Sequence, residues 1–233
     1  MRLKSSDLIR LGVIVAASFS LSYGLPPIGT GKSVTSVFNM LLLFSFLVGF
    51  FINRALERRK TVVNGIEVEL SRLRRIYNLS KRVSQSEWAP PMHAALRKYH
   101  VQVARDLFAY AEALEDYRVI ASMVYDYVPV TEKDRVVFAD LLQTTRDIAL
   151  ERRPLERSLD SRIPGYGWAV TILIVIGVGL LLLMNRGDGL TAFSVGATLT
   201  GLISVLDLLF RTDRFAPEEV ARFQKLYRDN VAN

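Results

Sequence analysis

The sequence predicts an all-α integral membrane protein: four transmembrane helices in two hairpins, with a cytoplasmic helical domain between them. Three observations predict this. Half of the 233 residues are apolar, and they concentrate in blocks near both ends. The middle of the chain is charged, shows no two-residue alternation, and places its apolar residues at helical spacing. Of the 30 basic residues, 28 lie outside the two short loops that join the apolar blocks.

A bilayer core needs about 20 mostly apolar residues per helix. Gly167 to Asn185 reads GWAVTILIVIGVGLLLLMN and contains no charge. Leu190 to Phe210 is charged only at Asp207. Val37 to Ile52 is shorter, and the uncharged Ser33 to Ser36 extends it. Leu8 to Leu25 contains Arg10 and ends at Pro26-Pro27. Its basic start and apolar core, Leu11 to Leu21, also fit a signal peptide, but a small-residue cleavage site is not clear. Cleavage would put the middle domain and the C-terminus on opposite sides, so the spanning reading is preferred.

Lys and Arg near the span ends set the orientation. Gly29 to Ser36 carries only Lys32, and Arg186 to Gly189 carries Arg186 against Asp188. The opposite ends carry Arg2, Lys4 and Arg10, then Arg54, Arg58, Arg59 and Lys60, then Arg211 and Arg214. Both termini and the middle domain are therefore expected in the cytoplasm, in a multi-pass membrane protein. The expected divisions are 1–53 for the first hairpin, 54–163 for the helical domain, 164–211 for the second hairpin and 212–233 for a cytoplasmic tail.

With no cysteine, disulfides and cysteine-ligated metals are excluded. The formal charge of +7 is explained by positive-inside topology and attraction to anionic lipid headgroups. Nucleic acid is not an expected partner, because the charge is spread out and no binding motif is present.

No proline occurs between Pro27 and Pro90, so the second span is expected to continue past the membrane surface, with Ile66, Leu70, Leu73 and Tyr77 on its apolar face. Any event at the cytoplasmic helices would then have a rigid route to that span. Trp88-Ala-Pro-Pro ends this helix, and Pro90 and Pro91 suit the first turn of the next. Leu96, Tyr99, Val103, Leu107, Tyr110, Leu114, Tyr117, Ala121 and Val124 follow at steps mostly of three and four. This reads as one helix with a coiled-coil-like seam that packs lengthwise on a neighbour. Thr131 and Asp134 predict an N-cap, and Val137, Leu141, Ile148, Leu155 and Leu159 mark a further helix, kinked near Pro154. Tyr166 and Trp168 sit where interfacial aromatics are expected as the chain re-enters the bilayer.

Reactive groups are few. His93 and His100 lie two turns apart on one predicted helix and read as surface or packing residues. Glu112, Glu115 and Asp116 read as a solvated face, because calcium also wants a loop offering carbonyl oxygens. No glycine-rich phosphate loop, HExxH or Gly-x-Ser-x-Gly is present. Neither catalytic residues, nor a metal, nor a cofactor is expected, and the chain is not read as an enzyme.

Two span features carry the candidate function. Ala192, Gly196, Thr200 and Ser204 recur every four residues, followed by Asp207. A small-residue stripe lets helices approach closely in lipid. The other reading is a polar path through Thr200, Ser204 and Asp207, although Arg211, four residues on, can pair with Asp207 at the membrane edge. Leu42, Phe46, Phe50 and Arg54 fall on one face of the second span. Around an oligomer axis they would form an apolar constriction above a ring of positive charge, and such rings favour anions. Contact with lipid or neighbouring helices is the plainer reading. Ser18 and Ser22 share a face of the first span, suited to interhelical hydrogen bonds or to water.

Several stretches carry a family resemblance. They are Asn53-Arg-Ala-Leu-Glu-Arg-Arg, Val63-Asn-Gly-Ile-Glu-Val-Glu-Leu, Leu73-Arg-Arg-Ile-Tyr and Leu96-Arg-Lys-Tyr-His-Val-Gln-Val. With the C-terminal hairpin, this layout resembles bacterial membrane proteins with a bestrophin-like domain, over roughly residues 37 to 217. Such proteins commonly have an acidic residue closely followed by proline after the last span. Here Asp213-Arg214-Phe-Ala-Pro217 places the proline later than Asp207 would require. The resemblance implies a homo-oligomer, a pentamer by analogy with bestrophins, and an anion pore passing an ion such as chloride. The alternative is a non-conducting scaffold or sensor whose cytoplasmic helices bind a partner or anionic lipid.

Overall fold

The computed structural model describes residues 5–25, 34–184 and 189–232, which form helices and connections with no strand. The α-helices are α1 (Ser5–Gly24), α2 (Val34–Ser80), α3 (Ala89–Arg105), α4 (Leu114–Tyr125), α5 (Glu132–Asp160), α6 (Gly165–Met184), α7 (Gly189–Asp213) and α8 (Pro217–Ala232). A short 3₁₀ turn, Tyr110–Ala113, precedes α4. Four helical stretches are long and apolar enough to cross a membrane, one each through α1, α2, α6 and α7. Residues 29–33 and 186–188 of the expected hairpin loops, and the basic Arg2 and Lys4, lie outside the described residues, while 34–36 and Gly189 already belong to helices.

The chain divides into two compact units, Met1–Leu56 with Ile163–Arg214, and Glu57–Arg162 with Phe215–Asn233. The 47 residues of α2 far exceed the ~20 a bilayer core needs, and they contribute to both units.

In the first unit the core is aliphatic and aromatic. Phe44, Val48 and Phe51 of α2 cluster with Val178 and Leu182 of α6 and with Val195, Leu199, Leu202 and Leu209 of α7. Gly167 opens α6 to Phe51: a Cβ there would sit 3.0 Å from the ring. α1 packs along α7, antiparallel to it. Ser22 donates to the Ala192 carbonyl at one end, and at the other Arg211 joins Asp7 at 2.5 Å.

In the second unit α2, α3, α4, α5 and α8 enclose a larger core that includes Ile66, Leu73, Leu96, Leu107, Ile120, Leu141 and Ile148. Gly65 lets α2 approach α5, since a Cβ there would lie 3.0 Å from Leu155 Cδ1. Arg58 donates to the Ser158 and Leu159 carbonyls at 2.6 and 2.8 Å, satisfying acceptors that the end of α5 leaves open. Thr131 and Asp134 form a complete capping box, the aspartate replacing the usual glutamate, and α5 continues through Pro154. Burial works upward on the Asp134 carboxyl, but hydrogen bonds from Ser84 and Thr131 outweigh it and bring its pKa to about 2.

The predicted seam helix is broken. α3 stops at Arg105, where the Asp106 carboxylate accepts a hydrogen bond from the Phe108 N–H at 2.9 Å, and the chain turns back into α4. The residues of the seam are nonetheless buried at Leu96, Tyr99, Val103, Leu107, Tyr110, Tyr117 and Val124. Its two halves face each other: Lys98 meets Asp116 at 2.9 Å, and the rings of Tyr99 and Tyr117 lie 6.2 Å apart. Spacing fixed which face was apolar, but the local aspartate turn decided that the face folds on itself. The 212–233 segment read as a tail supplies α8, whose Phe223 and Tyr227 belong to this core.

Candidate functional site

The outward face of α2 in the first unit carries the predicted pore residues. Leu42 is 58% exposed, Phe46 77% and Phe50 59%, and Arg54 is exposed below them. Phe44, Val48, Phe51 and Ala55 on the opposite face are buried. The helix thus gives one face to the core of its unit and leaves the other exposed.

The structure sets the small-residue stripe of α7 against α1. A Cβ on Gly196 would lie 3.0 Å from the Phe19 ring, and Ala192 is buried beside Ser22. Thr200 turns its hydroxyl to the Gly196 carbonyl at 2.8 Å, within its own helix. Asp207 pairs with Arg211 at 2.8 Å, and Arg211 also holds Asp7, so a cation shared by two carboxylates ties the start of α1 to the end of α7. The Ser18 and Ser204 hydroxyls are buried without a hydrogen-bond partner among the described residues.

A second constellation lies in the second unit. Glu69 of α2 is 2% exposed and Arg152 of α5 is 4% exposed, and they pair at 3.6 Å. Tyr99 and Tyr110 each donate to Glu69 Oε1 at 2.5 Å, and Tyr227 of α8 donates to Oε2. Arg152 donates to the Tyr99 hydroxyl and, at 3.3 Å, to the Tyr110 carbonyl. Its guanidinium lies over the Tyr110 ring at 4.3 Å and near the Tyr117 ring at 5.2 Å. Tyr117 donates to the Thr145 carbonyl at 2.5 Å.

Burial, reinforced by the Glu69 charge, pushes Tyr99, Tyr110 and Tyr227 well above the usual phenol range, and burial also raises Tyr117. All four remain neutral donors at ordinary pH. Burial works against the Arg152 charge; the Glu69 carboxylate beside it, the Tyr99 oxygen that accepts from it and the Tyr110 ring beneath it all favour the cation. The set is an ion pair whose carboxylate is saturated by phenols. It lacks an open nucleophile, and among the described residues no group of three or more His, Cys, Asp and Glu could hold a metal.

The sequence reading missed Glu69 and Arg152 as members of a site, although a signal was present. In α2 the buried series is Val62, Ile66, Glu69, Leu73, Ile76, and in α5 it is Leu141, Ile148, Arg152, Leu155, Leu159. Within these stretches each stripe is interrupted by one charge, and the two have opposite sign. The face predicted from Ile66, Leu70, Leu73 and Tyr77 was rotated slightly, and so passed beside Glu69.

Four apolar spanning helices and a charged helical unit define a multi-pass, all-α membrane protein. Within that class, the family model of the Bestrophin-like domain matches residues 30–214. The match covers most of the chain, and the protein belongs to this family. No curated protein and no solved structure matches it. The family match includes Glu69, Tyr99, Tyr110 and Arg152 and stops before α8.

Proposed function

We propose that the protein is a homo-oligomeric ion channel of the bacterial inner membrane that passes anions such as chloride. The second span lines its pore, and both termini lie in the cytoplasm. The observation that carries this reading is the face of Leu42, Phe46, Phe50 and Arg54, apolar and exposed along a spanning helix whose other face is fully used. Copies arranged about an axis would bring Phe46 and Phe50 together as an apolar constriction, with Arg54 as the cationic ring that favours anions. Membership of the Bestrophin-like domain family supports a channel and, by analogy, a pentamer.

The alternative, a non-conducting scaffold, drew its support from a long apolar seam in need of a partner. That seam finds its partner inside the second unit, where α3 and α4 cover each other.

Reconstitution of the purified chain into liposomes with a chloride-flux assay tests the proposal. Flux above that of protein-free vesicles is expected, and Phe50→Ala is expected to raise it by widening the constriction. Equal flux with and without protein sinks the channel reading. Flux unaltered by Phe50→Ala sinks the gate assignment alone.

A further inference from the structure

A cleft of about 110 Å³ opens in the second unit, walled by α2, α3 and α8. Its polar lining is Arg74 and Asn78 from α2, His93, Arg97 and His100 from α3, and Asn230 from α8, over a floor that includes Leu73 and Leu96. No aspartate or glutamate is among the residues that line it. Elsewhere in the unit arginines meet carboxylates: Arg59 with Glu219, Arg72 with Asp147 and Glu151, Arg75 with Asp140. Arg74 and Arg97 make no ion pair among the described residues.

The walls are fixed by hydrogen bonds that leave the arginines free to bind. His100 Nδ1–H donates to the Leu96 carbonyl at 2.6 Å, so its Nε2 accepts from Asn230 Nδ2 at 3.0 Å. Asn230 also donates to the Leu70 carbonyl, at 3.3 Å. His93 lies against the Tyr77 ring, centroids 4.2 Å apart, and shares a hydrogen bond with Ser80 at 2.8 Å. Burial, and to a lesser degree the Lys81 and Arg97 charges, lowers the His93 pKa.

We infer that this cleft binds a phosphate-class oxyanion, free or as a lipid headgroup, between Arg74 and Arg97. Two guanidinium forks match the several oxygens and multiple charge of such an ion better than a single halide. The cleft has room for a phosphate-sized group. This reading does not depend on ion conduction.

The test uses the purified full-length chain in detergent, titrated calorimetrically with inorganic phosphate against a constant chloride background. A parallel arm measures binding to phosphatidylcholine vesicles with and without phosphatidate. Saturable phosphate binding is expected for a free-anion site, and binding only to phosphatidate vesicles for a headgroup site. In either arm Arg74→Ala and Arg97→Ala should each weaken binding by about tenfold, the loss of a charge-assisted contact. Arg146→Ala, outside the cleft, should change nothing. Both cleft arginines are exposed, so the variants should keep the unfolding midpoint of the parent without ligand. Absence of binding in both arms, or equal binding by the Arg74→Ala/Arg97→Ala double variant, overturns the site.

Discussion

In the first unit, α1 and α7 meet through Ala192, Gly196 and the edge of Phe19. In the second, six elements converge on Glu69 and Arg152. Lipid gives two apolar helices no hydrophobic reason to associate, so the first unit gains from close backbone approach and a few side-chain hydrogen bonds. The second unit buries long apolar stripes against one another, and general apolar burial leaves the uniqueness of their arrangement to be specified. A buried carboxylate with phenol donors at both oxygens, and a cation beside it, is satisfied in one arrangement of the helices. Size, helped by the one cation that Asp7 and Asp207 share, selects the partner in one region, and a buried ion pair does so in the other.

The largest break in that contrast should come from Arg152→Ala. It strands Glu69 in the core without its cation, a loss of about 3–5 kcal/mol. A large drop in the unfolding midpoint of the detergent-purified chain would show it, and a variant as stable as the parent would show that the phenols alone carry the carboxylate. Gly196→Val should cost less, about 1–3 kcal/mol, because the added carbons meet the Phe19 ring and push α1 away. Disulfide cross-linking between cysteines placed on α1 and α7 would report it as a slower reaction. Tyr227→Phe removes one donor from Glu69 and should cost about 1–2 kcal/mol. Limited proteolysis should then release α8 earlier than in the parent.

A smaller effect sits at the α5 cap, where Thr131→Ala should cost about 1 kcal/mol. The same cap sharpens the comparison through pH. Asp134 is depressed from 3.8 to about 2, so its stabilisation is complete above pH 3.8 and fades as pH falls towards 2. Helicity of the second unit followed through that window should decline less steeply in Asp134→Asn than in the parent. The smallest change belongs to the exposed pair Arg135–Glu132: Arg135→Ala should fall within about 0.5 kcal/mol of the parent.

Much of this architecture is legible in the residues alone. Four helices long and apolar enough to span, the continuation of the second as one helix to Ser80, the proline-led start of α3 and the Thr131 cap follow from local residue chemistry and appear as expected. The break after Arg105 was not legible, because the apolar spacing continues through it and only Asp106 signals the turn. Nor was the partner of α1 readable from chain order. Sequence adjacency favours α2, whereas the Gly196 notch and the Asp7–Arg211–Asp207 set place α1 along α7. Site residues were legible as patterns but not as roles. Exposure distinguishes the Leu42–Phe50 face from the packed α7 stripe, and exposure depends on which helices become neighbours.

Tyr227 has a consequence for how family members can be recombined. Homologous exchange is usually planned along the boundaries of a shared domain, and here that boundary falls at residue 214, with the hydroxyl that completes Glu69 thirteen positions beyond it. A chimaera that imported residues 30–214 into another member would inherit an acid whose third phenol stayed behind with the donor. The transplantable module is therefore larger than the inherited signature, and its outer limit is set by a single hydroxyl.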